Sequence, residues 1–191
     1  MKKELKVLIG VIAIVILIIA AAVVIVISMN KEEKDVSNTP KSNLKVQSVK
    51  ELQNLVTNLY TGLEETLPRS LATTVIDITN ADQFKMFTGL STSEGVDYAV
   101  ASEPMMSSQA YSLILMKVKD GVDANQIAKT MSESIDTRKW ICVSAEKLYA
   151  TNSGNIVCLV MSSEEWAKPV YENFKNVAGE IGQEYEKTEA I

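Results

Sequence analysis

Apolar residues fall along this chain in three rhythms, and each predicts a different element. The first is unbroken: Val7 to Met29 is 23 residues without charge or proline. The second recurs every three or four positions, as in Leu52, Leu55, Val56, Leu59, Tyr60, Leu63 and Leu67, the stripe of an amphipathic helix. The third belongs to strands. Val96, Tyr98 and Val100 alternate with Asp97, Ala99 and Ala101, whereas 110–118 and 155–161 are apolar on both faces.

Length assigns the first run. Fourteen of its residues are β-branched, which favours a strand, but strands average about 5–6 residues. A hydrocarbon core of about 30 Å needs about 20 helical residues, so 7–29 is expected to be a transmembrane anchor. The alternative is a secretory signal peptide cut after Ala22, with Lys2, Lys3 and Lys6 as its basic region. The apolar run continues through Met29, which favours an uncut anchor. No cysteine follows it, which excludes a bacterial lipoprotein. The basic head places 1–6 in the cytoplasm and the rest outside, so a single-pass cell-membrane protein is expected.

The remainder reads as linker, domain and tail. Residues 30–47 are polar and include Pro40, the composition of a flexible linker. Ser48 and Glu51 have capping-box spacing at the start of a helix that Pro68 ends. Thr73 to Ile78 is ambiguous between a short strand and a turn. A short helix follows over 81–88, with Gly89 as its terminator. Two strands, near 96–101 and 110–118, precede a helix from Asp123 to about Lys139. Two more, near 147–151 and 155–161, flank the hairpin signal Asn152-Ser153-Gly154. Ser162 and Glu165 repeat the capping-box spacing before a last helix, and 180–191 reads as a frayed tail. The doubly apolar strands must be central. The expected fold is therefore α+β: a transmembrane helix, then one domain over 48–179 with a four-stranded antiparallel sheet, order 1-2-4-3, packed with helices.

Charge and composition narrow the function. Residues 31–191 carry 16 basic and 23 acidic side chains, a net of −7, which gives no support for nucleic-acid binding. The chain has no histidine, so Ser-His-Asp and Cys-His arrangements and the commonest zinc ligand are absent. Carboxylate and Ser-Lys chemistry stay open. Cys142 and Cys158 lack metal-ligand spacing and read as free thiols more readily than as a disulfide. No cofactor or metal is expected.

The candidate contact residues are few. Met105 and Met106 sit at a strand-to-strand turn and offer a soft apolar contact to a partner; the plainer reading folds them onto the core edge. Arg138 and Trp140, in Asp136-Thr137-Arg138-Lys139-Trp140, offer a hydrogen-bonding fork and a stacking face; the plainer reading is a helix end. Glu164 and Glu165 as an acid–base pair are better explained by the helix dipole.

The tracts VDYAV, EPMMSSQAYSLILMKVKDG, DTRKW, TNSGNIVCLVMSS and SEEWAKPVYENF, with LYTGL upstream, together resemble the family known as domain of unknown function 4358. The resemblance covers roughly 48–178 and rests on overall pattern. It implies an anchored extracytoplasmic protein of a Gram-positive cell envelope, and carries no activity and no functional residues. Some members lie beside membrane-bound O-acyltransferase systems, which implies an accessory role. The sequence therefore leads to a membrane-anchored extracytoplasmic interaction module, not an enzyme, with a protein partner or a second copy docked on the outer face. The alternatives are an accessory subunit of a polymer-modifying membrane system and a carboxylate-based cell-wall hydrolase.

Overall fold

The doubly apolar runs decide the centre of the sheet. In the computed structural model, which describes residues 40–106 and 108–189, β3 (Ser112–Val118) and β5 (Ile156–Ser162) lie side by side. Leu113, Leu115, Val157 and Leu159 have no exposed surface. β2 (Val96–Pro104) pairs with β3, and β4 (Lys147–Ser153) with β5, all antiparallel.

The sheet has six strands, which corrects the expected four. β1 (Leu71–Val75) adds beside β2, and β6 (Tyr185–Thr188) beside β4, giving the order β1-β2-β3-β5-β4-β6. Both additions are edges, where a strand buries little and so shows no apolar alternation. β6 forms from residues expected to fray. Likewise the later half of the expected linker is bound to the domain. The Pro40 carbonyl accepts from the Gly154 N–H, the Asn43 N–H donates to the Ala178 carbonyl, and Val46 is buried.

Among the described residues four helices cover the sheet on both faces. α1 (Val49–Leu59) and α4 (Glu164–Ala178) bury Leu52, Leu59, Val170 and Phe174 against Leu113, Leu115 and Val160. α2 (Ala81–Thr88) and α3 (Ala124–Ser134) bury Phe84, Ala128 and Met131 against Ile114, Met116 and Leu159. Each fully buried leucine contributes roughly 2 kcal/mol. The helices of Ile127 and Trp166 thus lie on opposite faces of the sheet.

Helix ends follow local chemistry. Ser48 accepts from the Glu51 N–H at 3.3 Å, while the Glu51 carboxylate accepts from Gln47 N–H instead of closing the box on Ser48. α1 ends at Leu59, short of the predicted Leu67. Gly62, at φ 79°, lies just beyond that end, before Leu63 to Leu67 re-enter as turns. Ser162 is not the cap of α4. It is buried at the end of β5, its hydroxyl donating to the Ala110 carbonyl at 2.6 Å, and Ser163 occupies the cap position.

Among the described residues no helix is long and apolar enough to cross a membrane. The stretch 7–29, on which the expected anchor rests, lies outside the described residues, as does 30–39 of the expected linker. That corrects the expectation of an integral single-span protein with an extracytoplasmic domain: the architecture described is the α+β domain alone.

Candidate functional site

The two edges of the sheet differ in chemistry. β6 reads Tyr-Glu-Lys-Thr and is flanked by Glu184 and Glu189, charges of the kind that discourage a further strand. β1 reads Leu-Ala-Thr-Thr-Val: five uncharged residues, three of them β-branched, with no proline. Four of the five are exposed.

The hydrogen-bond register shows which backbone groups β1 leaves open. The Ser70 carbonyl accepts from the Met105 N–H at 3.1 Å, and the Ile76 N–H donates to the Ala99 carbonyl at 2.9 Å. Antiparallel pairs alternate between bonded and non-bonded. Positions 70, 72, 74 and 76 therefore bond to β2. Leu71, Thr73 and Val75 turn their N–H and C=O groups outward, and no described residue accepts from or donates to them.

A hollow of about 420 Å³ adjoins the Val75 end of this edge. Its apolar wall includes Val49, Val75, Ile78 and Tyr98, and Asp77 and Asp97 complete its lining. α1 positions Val49, and the Tyr98 hydroxyl donates to the Gln47 carbonyl at 3.4 Å, holding the ring beneath the helix start. Val75 stays 46% exposed. The two carboxylates differ. Asp97 pairs with Lys117 at 3.4 Å. Asp77 accepts the Thr79 hydroxyl and N–H on a single oxygen, at 2.7 and 2.9 Å, and these bonds hold its carboxyl below the usual carboxylate range.

Met105 and Met106 stand at the other, Leu71 end of the same edge, 78% and 69% exposed. They do not fold back on the core. Arg138 is exposed, and its N–H donates to Asp136 at 2.8 Å. Trp140 is half-buried, packed at the rim of the α2/α3 core. Thr137 is buried, and of the charged side chains in this tract Lys139 is the one that enters the fold. Its Nζ lies 2.5 Å from Glu103 and 3.3 Å from Ser112 Oγ, between the rings of Phe87 and Trp140 at 5.3 and 5.4 Å. Burial pushes the amine below its ordinary value, with Glu103 opposing the shift. Nothing in the sequence marks Lys139, because its setting depends on Glu103, a distant residue.

This Ser-Lys contact is not a nucleophilic site. Ser112 has no exposed surface, and its hydroxyl donates to Glu103 at 2.6 Å. Nor is there a free acid–base pair around Glu164. A second hollow of about 190 Å³ is lined by Glu164, Glu172, Glu184 and Glu186 with Tyr149 and Tyr171. Each of these carboxylates is engaged: Glu164 by Lys168, Glu172 by Lys175, Glu184 by Tyr171 and Lys175, Glu186 by Lys147. Among the described residues no group of His, Cys, Asp and Glu is placed to hold a metal ion. Cys142 and Cys158 are free thiols, the first exposed and the second buried.

No family model matches this chain, and no curated protein or solved structure matches it. With no span and no catalytic constellation among the described residues, the expected roles of anchored envelope module, accessory subunit of a membrane acyltransferase system and wall hydrolase find no footing in the structure. The same holds for a partner docked on an outer membrane face.

Proposed function

We propose that the domain holds an extended polypeptide segment as a seventh strand against the open edge of β1. The observation that carries this reading is the row of outward N–H and C=O groups at Leu71, Thr73 and Val75, on a strand with no charge, proline or bulge to block it. Strand addition draws affinity from such main-chain bonds and selectivity from pockets for alternate side chains. The hollow beside Val75 is one pocket, and the exposed Met105-Met106 pair at the far end offers a second, adaptable contact. Arg138 and Trp140 stay proposed as outlying contacts on the neighbouring loop. Kinship with domain of unknown function 4358 also stays a proposal and supplies no activity.

The test uses the full chain as bait for a displayed library of random decapeptides, counter-selected on Thr73→Pro. Proline at 73 removes an outward N–H and spares the bonds to β2. Selected peptides should slow amide exchange at Leu71, Thr73 and Val75 and lose binding to the proline variant. A library that yields no binder, or binders indifferent to Thr73→Pro, overturns the reading.

A further inference from the structure

The hollow lies at one end of β1 and carries charge of one sign at its rim. Resting on the strand-addition reading above, we infer that the segment runs antiparallel to β1. It places an apolar side chain opposite Val75 and a basic side chain two residues before it.

The register supplies the spacing. A residue bonded opposite Val75 projects its side chain to the same face as Val75. That face is the α1 face. Leu71 packs with the α1/α4 core, and Val75, two steps along on the same side, lines the hollow with Val49 and Tyr98. An aliphatic side chain there covers Val75 and fills space that the domain itself leaves open.

Asp77 is two positions further along β1 and exposed. In an antiparallel pair the residue nearest it is the one two places earlier in the added segment. One Asp77 oxygen accepts from Thr79, and the carboxylate is exposed with no ion-pair partner among the described residues. The same Thr79 bonds keep the group ionised, so it presents a fixed negative charge. Asp97 lines the same hollow but is paired with Lys117 at 3.4 Å, so Asp77 is the carboxylate that a basic side chain of the segment meets. At the opposite end Thr73 and Leu71 call for a small β-branched residue and then a second aliphatic one. The ligand class is thus a basic–x–aliphatic–x–Thr–x–aliphatic extended peptide.

The probe is the blocked heptapeptide Lys-Thr-Ile-Thr-Thr-Ser-Val, titrated against the full chain while amide exchange is followed at Leu71, Thr73 and Val75. Replacing its lysine by glutamate should weaken binding about fivefold, the scale of an exposed charge pair turned from attraction to repulsion. Replacing its isoleucine by serine should weaken it by about tenfold or more. Asp77→Lys should reverse the preference, favouring the glutamate peptide, and it lies outside the buried core, so folding is retained. Equal protection by all three peptides would overturn the inference and leave strand addition standing. No protection by any peptide, with library binders also absent, would overturn both. Protection of the same amides without peptide, rising with protein concentration, would show that a second copy takes the edge and would overturn the inference.

Discussion

Gly89 joins two helices by having no side chain. It closes α2 at φ 75°, and a Cβ there would lie 2.5 Å from the Ile135 backbone nitrogen at the end of α3. Gly89→Ala meets both a left-handed backbone and a contact no relaxation of a side chain relieves. It should cost more than about 2 kcal/mol in urea unfolding. Lys139 and Glu103 make the second argument at this scale. Glu103→Gln leaves the buried ammonium without its counter-charge and should destabilise by on the order of 3 kcal/mol. Replacing both residues with apolar ones, Lys139→Met with Glu103→Leu, should cost less than either single change, measured as a double-mutant cycle. Gly89 was legible in the sequence because a helix terminator acts within one turn. Lys139 was not, because its burial is created by Glu103 on β2 and Phe87 on α2, both distant in the sequence.

Within β1, neighbouring residues have opposite backbone duties. Thr74 bonds toward β2, opposite Ala101, whereas Thr73 faces outward. Thr74→Pro should therefore lose roughly 1–3 kcal/mol of stability, and Thr73→Pro under about 1 kcal/mol. Equal losses would show that the register is shifted by one. The central strands were legible because burial on both faces forces apolar residues at every position, as in Leu113 to Met116 and Val157 to Met161. β6 was not, and β1 was left open between a strand and a turn over Thr73 to Ile78, since an edge strand is specified by its neighbour's backbone more than by its own side chains. The candidate site inherits that difficulty. Met105 and Met106 drew attention as an unusual pair, but the open N–H and C=O groups beside them leave no mark in an amino-acid sequence. The segment 40–47 failed to read as structure for a related reason: beyond Leu44 and Val46, which pack on the core, it is held by main-chain bonds to Gly154 and Ala178.

Taken whole, the described residues bury several tyrosine rings and one of the two thiols. Burial raises Tyr60 to about 12 from an ordinary 10.0, and pushes Tyr111, Tyr171 and Cys158 well up. Between the ordinary and the raised values the unfolded chain has lost protons that the folded chain keeps. Folding free energy from these groups is thus intact below about pH 9 and declines as pH rises beyond it. Lys139 works the other way, since its lowered value makes the folded state gain as pH approaches 10.5, but it is one group against these four and against Tyr149, Lys147 and Lys175, which are also raised. The urea midpoint should fall steadily above about pH 10, with the ring signals of Tyr60, Tyr111 and Tyr171, followed by NMR, keeping their phenol positions until the chain unfolds. Early ionisation of these three rings in a still-folded chain would show that they meet solvent. The order β1-β2-β3-β5-β4-β6 carries one more consequence, in time rather than space. β2 and β3 can zip as a hairpin, and so can β4 and β5, but the seam that makes one sheet of them is β3 against β5, Leu115 meeting Cys158 across the whole of α3. Closing that loop precedes any reward from the seam, so assembly waits on the meeting of two preformed halves. Until they meet, each half presents a greasy central strand as an edge. A ribosome that has released only the first half therefore holds a chain whose stickiest strand, Ser112–Val118, has nothing yet to lie against.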